Sequence, residues 1–133
     1  SITAQEKKPI VIGYLAPRTG PAAANAKDMV DAMQMVVDEF GGKIAGRTLK
    51  MIVEDTQGKP AVGLFKARKL VLEDGAHVIA GPLLGHVNYA VSPFVNEKKI
   101  PWLSNAASPA SLTLRDVTPM IIRTVFSGPQ LSL

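Results

Sequence analysis

Hydrophobic and polar positions alternate in blocks along this chain, and the period changes from block to block. Residues 9–15, Pro-Ile-Val-Ile-Gly-Tyr-Leu, form an unbroken apolar run rich in β-branched and aromatic side chains. Such a run predicts a strand buried on both faces. From Ala22 to Phe40 the apolar residues Ala26, Met29, Val30, Met33, Val36, Val37 and Phe40 recur at helical spacing, and Gly41-Gly42 stops them. Ile44-Ala45-Gly46-Arg47 reads as a tight connection, and Thr48 to Asp55 alternates apolar and polar like a less covered strand. A loop of Thr56-Gln57-Gly58-Lys59-Pro60 leads to a second helical stripe from Ala61 to Glu73, closed by Asp74-Gly75. A third strand follows at Val78–Ala80, a third helix at His86–Glu97, a fourth strand at Ile100–Leu103 and a fifth at Met120–Val125.

The order is βαβαβαβ and then another strand, with short connections. This predicts an α/β fold: a parallel sheet with helices on both faces. Open sheets of this kind bind ligands at the carboxyl ends of their strands. Two such ends, Ala80-Gly81-Pro82 and Leu103-Ser104-Asn105-Ala106-Ala107-Ser108, would open side by side within the stretch Val78–Leu112. Their side chains are small hydroxyls, amides and bare backbone, which suit the gripping of a small polar molecule. Ser108 can donate or accept, Gly85 offers backbone alone, and His86 stands at the same rim. Together these groups could hold a carboxylate through neutral dipoles. In the loop after the first strand, Thr19 or Asn25 is the residue placed to touch a ligand.

Composition narrows the function. The 133 residues suffice for one domain with a genuine core, and 47% hydrophobic with 20% charged residues marks a globular chain. The net charge of +4 is spread among acids, with no basic stripe carrying aromatics, so nucleic acid is not an expected partner. There is no cysteine, hence no disulfide and no thiolate chemistry. No apolar run approaches the ~20 residues needed to span a membrane.

The first loop lacks the glycine pattern of a phosphate loop, and Pro17 and Pro21 remove donors there. A phospho-acceptor receiver would need an acidic pair after the first strand, where this chain has Tyr14-Leu15-Ala16. Asp55 therefore reads as a cap or a structural acceptor. His77 reads as a surface residue. No metal-ligand spacing is present, and no nucleophile–base–acid set surrounds Ser104 or Ser108. Neither catalysis nor a cofactor is expected.

The run from Pro9 to Pro21, the long helix, Gly41-Gly42-Lys43-Ile44-Ala45-Gly46, Ile52–Asp55, Gln57–Pro60, Val78–Pro82, Lys99-Ile100-Pro101 and Asn105–Ser108 occur in one familiar order. In that order the chain resembles the type I periplasmic solute-binding proteins of ABC importers, in their leucine/isoleucine/valine-binding group. The resemblance implies a flavodoxin-like or Rossmann-like lobe that closes on its ligand against a second lobe. It also implies delivery to the membrane subunits of an ABC permease, and a periplasmic or lipid-anchored extracytoplasmic location. By position it places ligand contacts at Gly85, Ala106 and Ser108, with Leu83, Leu84 and His86 beside them and Asn25 facing the ligand from the first helix.

Gly85 stands where amino-acid binders of the group usually carry serine. The ending Arg123–Gln130 looks more like members associated with aromatic acids or other carboxylates. On this reading residues 1–8 form a disordered tail, 9–126 the ligand-binding lobe and 127–133 the start of a crossover to a second lobe, and the truncated lobe tends to self-associate. Two other readings share the topology: a cytoplasmic ligand-sensing regulator of the amide-sensor type, and a flavodoxin-like enzyme.

Overall fold

The computed structural model describes residues 7–106, 109–114 and 119–125. The elements run β1 (Ile10–Ala16), α1 (Ala23–Glu39), β2 (Lys43–Ile44), β3 (Arg47–Asp55), α2 (Pro60–Leu72), β4 (Val78–Ala80), α3 (Gly85–Glu97), β5 (Trp102–Ser104), α4 (Ser111–Leu114) and β6 (Ile121–Arg123). The strands form one sheet in the order β2-β3-β1-β4-β5-β6. All pairs are parallel except β2 with β3. The α/β architecture is therefore as the hydrophobic pattern predicts.

Alternation along the strands sorts side chains between two layers. Leu15, Ile79 and Trp102 point to one face, where α2 and α3 supply Ala67, Leu70, Val87, Val91, Phe94 and Val95. Tyr14, Ala16 and Ala80 point to the other, where α1 supplies Ala26, Met29, Val30 and Met33. Helices α2 and α3 meet closely at Gly63, where a Cβ would lie 2.3 Å from Val87 Cγ1. The α1 layer is less complete over the far edge of the sheet. Ile122 of β6, in register with Leu103, is 62% exposed.

Several details depart from the pattern-based expectations, each for a local reason. Burial of β1 is complete only over Gly13–Ala16, and residues 10–12 are half-buried. The connection at 44–47 is the turn of a hairpin that pairs β2 antiparallel with β3, made by Ala45 and Gly46 at φ 49° and 71°. Two consecutive positive φ values match the twist of a tight hairpin. Strand β5 starts at Trp102 because Ile100 still belongs to the end of α3: its N–H donates to the Val95 carbonyl at 3.0 Å, after Lys99 at φ 53°. Strand β6 is shorter than the expected 120–125, and the short helix α4 was not anticipated. Arg47 Nε donates to the Lys8 carbonyl at 2.7 Å, just before β1. Residues 1–6 of the expected tail and the expected crossover at 127–133 lie outside the described residues.

Candidate functional site

The rim at the carboxyl ends of β4 and β5 depends on one glycine. Gly81 follows β4 at φ 77°, and a Cβ there would stand 2.1 Å from the Leu15 carbonyl oxygen. Only glycine fits so close an approach at that backbone angle. The Gly81 carbonyl in turn accepts the indole N–H of the buried Trp102, and the Gly81–Pro82 peptide is cis. Asn88, fully buried on α3, donates from Nδ2 to the carbonyls of Pro82 at 3.1 Å and Leu84 at 2.9 Å. The turn 81–84 is thus pinned from below, and it delivers the start of α3 to the rim.

At that start stand three of the expected contact residues. Leu84 caps α3 with extended backbone and packs against the core. Gly85 is the first helical residue, and a Cβ there would meet nothing within 4 Å among the described residues. His86 is exposed, with Nε2 2.8 Å from the Gly58 carbonyl oxygen, so Nε2–H donates to it. Ala106 lies half-buried in the bend after β5, at the neighbouring strand end. Ser108 lies outside the described residues. Asn25 is exposed in the first turn of α1, in the layer on the other side of the sheet. The fold therefore brings Leu84, Gly85 and His86 together on one turn beside the Ala106 bend, and carries Asn25 on another helix.

Asp55 is a structural acceptor, as expected. Oδ1 accepts from the backbone N–H of Arg18 and of Gln57, both at 2.8 Å, and Oδ2 accepts from the Thr19 hydroxyl at 2.8 Å. Partial burial works against its charge. The donors from Gln57, Thr19 and Arg18 outweigh that effect and hold the carboxyl below the usual carboxylate range. Thr19, one of two residues expected to touch a ligand, donates its hydroxyl to Asp55. The rim is thereby wired from the β1–α1 loop through Asp55 to the Gln57-Gly58 turn, and on through His86 to α3. His77 is on the surface, as expected, and its Nδ1 accepts the Val11 N–H at 3.0 Å.

One polar pair at the rim escaped the sequence reading. Asn105 Nδ2 donates to the Tyr14 hydroxyl at 2.6 Å, joining β1 to the end of β5 across β4. A tyrosine in an otherwise aliphatic strand was the available signal, since a buried phenol needs a partner. The sequence reading also did not mark the depression of about 410 Å³ along α1, lined by Arg18, Ala23, Ala24, Lys27, Val30 and Asp31. Among the described residues, no group of three His, Cys, Asp or Glu is placed to hold a metal ion. The rim's equipment is backbone, amide and imidazole, which suits hydrogen bonding to a polar solute.

A sheet of this order is that of a doubly wound α/β protein, and the comparisons place the chain in one family. The family model described as periplasmic binding protein matches residues 9–132, and the chain belongs to that family, in its type I, leucine/isoleucine/valine-binding group. It is 32% identical over 114 residues to the Leu/Ile/Val-binding protein BraC3 of Rhizobium johnstonii, covering 84% of this chain and 31% of that protein. An ABC transporter substrate-binding protein from Sphaerobacter thermophilus superposes with a TM-score of 0.88 at 29% identity, over 92% of this chain and 33% of that one. A solute-binding protein of an ABC transporter from Rhodopseudomonas palustris BisB5, solved in complex with 3,4-dihydroxybenzoic acid, gives 0.84 at 27% identity, over 90% and 32%. The chain spans about a third of the length of these proteins. Among the described residues, no helix is long and apolar enough to cross a membrane.

Proposed function

We propose that this chain is the first lobe of an extracytoplasmic solute-binding protein that captures a small carboxylate-bearing solute and delivers it to an ABC permease. Residues 9–126 form that lobe, and a second lobe supplies the opposite wall of the pocket. The observation that carries this reading is the open start of α3. Among the described residues nothing crowds Gly85, no acidic residue sits in the first helical turn, and the positive end of a helix dipole favours an anion. Ala106 on the neighbouring bend and, by the family resemblance, Ser108 complete the wall, with Leu84 and His86 beside it and Asn25 approaching from α1.

A branched-chain amino acid and an aromatic acid both answer this chemistry. The name of the BraC3 relative supports the first, and the dihydroxybenzoate complex supports the second. The bare backbone at Gly85 favours a ligand held by its carboxylate over one that needs a side-chain hydroxyl for an ammonium group.

Half a pocket binds weakly, because closure normally buries the ligand between lobes. Calorimetry with leucine and with benzoate is expected to give dissociation constants no tighter than the millimolar range. Micromolar binding by this chain would contradict the half-pocket reading. The exposed Met35, Phe40, Phe65, Leu72 and Ile122 favour self-association. A clean monomer in sedimentation at high concentration would count against that part.

A further inference from the structure

Helix α2 has two distinct faces. Gly63, Ala67 and Leu70 are buried on one of them, toward the core and α3. Ala61, Phe65, Arg68 and Leu72 stand on the opposite face, and all four are exposed. Phe65 is 65% exposed and Leu72 62%. Steps of four, three and four residues separate the four positions. That is the spacing of a seam along which two helices pack with nearly aligned axes. Among the described residues no element covers this seam.

The seam is complementary to itself when two copies run antiparallel. A two-fold axis between Lys66 and Ala67 sets Ala61 opposite the partner's Leu72, and Phe65 opposite the partner's Arg68. The smallest side chain then receives the large aliphatic one, and a ring receives a guanidinium. Arg68 already lies over the buried Phe94 ring, 5.8 Å from its centroid. Its outer side is left for a second ring.

The charges at the helix ends agree with this arrangement. Lys59 stands at the N-cap of α2 and Glu73 at the C-cap. Each therefore sits at the end of its own helix dipole that carries its own sign, which is unfavourable. Both are exposed, and neither makes an ion pair among the described residues. Lys66, Lys69 and Asp74 are by contrast paired within the chain, the two lysines with Glu54. In the antiparallel pair Lys59 meets the partner's Glu73 and the negative end of the partner's helix, and symmetry repeats the contact. The exposed Met35, Val36 and Phe40 at the end of α1 lack this property. They sit among Asp31, Asp38 and Glu39, so two copies of that face would bring like charges together.

We propose that the exposed face of α2 is the interface between two copies of this chain, paired antiparallel about a two-fold axis. The inference rests on the reading that the lobe self-associates, and gives that association one face and one geometry. It is independent of the carboxylate site.

Sedimentation equilibrium of the full chain tests it, with a thermal melt of each variant to check its fold. The wild type is expected to pass from monomer to dimer as concentration rises, and no further. The exposed-face variant Phe65→Ser, Leu72→Ser is expected to weaken the dimer roughly tenfold or more. Lys59→Glu is expected to weaken it roughly 3- to 10-fold. That change suits the dipole of its own helix, so the melting temperature is expected to hold or rise. Adding Glu73→Lys exchanges the charges at both ends, and is expected to restore the wild-type constant to within about twofold.

Self-association unchanged in Phe65→Ser, Leu72→Ser would overturn the α2 face while leaving self-association itself. Equal constants for Lys59→Glu and for the exchanged pair would overturn the antiparallel geometry. Growth beyond a dimer would overturn the two-fold pairing. A clean monomer at every concentration would overturn both the interface and the self-association it rests on.

Discussion

A side chain at position 81 would place its first carbon 2.1 Å from the Leu15 carbonyl, at a positive φ that disfavours any Cβ. The neighbour is backbone of the central strand and cannot yield cheaply. Gly81→Ala is therefore expected to destabilise the fold by roughly 3 kcal/mol or more, with loss of a cooperative melting transition near room temperature as the readout. Melting within a few degrees of wild type would show that the turn relaxes.

Asp55 makes the complementary prediction for pH. Its folded carboxyl titrates below the ordinary value because Gln57, Thr19 and Arg18 donate to the charged form, against the opposing effect of burial. A depressed folded value means the contribution is fully present above the unfolded pKa of about 3.9 and is lost as pH falls through the lower folded value. Glu54 is held down similarly by Lys66 and Lys69, so it loses stability over the same range. The melting temperature is therefore expected to fall on acidification below about pH 4, and to fall less steeply in Asp55→Asn. Parallel curves for the two proteins would remove Asp55 from the account.

At the scale of elements, most of the fold was legible because each element carries its own period. The stripes of α1 and α2, the run of β1 and the alternation of β3 each reflect the side of the sheet they face. What escaped was set by backbone angles and by distant neighbours. The hairpin at Ala45-Gly46 needs two positive φ values, and alanine advertises no such preference. Ile100 reads as strand by composition, yet the bond to Val95 keeps it in the end of α3.

The same divide runs through the candidate site. Gly85, His86 and Ala106 could be placed at the rim because strand ends and helix starts follow from element order. The bond of Thr19 to Asp55, the hold of Asn88 on the 81–84 turn and the pairing of Tyr14 with Asn105 join residues far apart in sequence. No local pattern encodes them.

For the whole molecule, the layers and the rim point the same way. Helices α2 and α3 cover one face of the sheet, while Ile122 remains open on the other face. The proposed pocket wall is the rim that carries Gly85, His86 and the Ala106 bend. The central claim is that this wall binds a carboxylate-bearing solute weakly and at a defined place. A ¹⁵N NMR titration with benzoate and with leucine tests both parts at once. The account predicts saturable shifts of the Gly85, His86 and Ala106 amides with millimolar dissociation constants. Shifts confined to the depression beside Arg18 and Lys27, or no shift at the start of α3 for either solute, would contradict it.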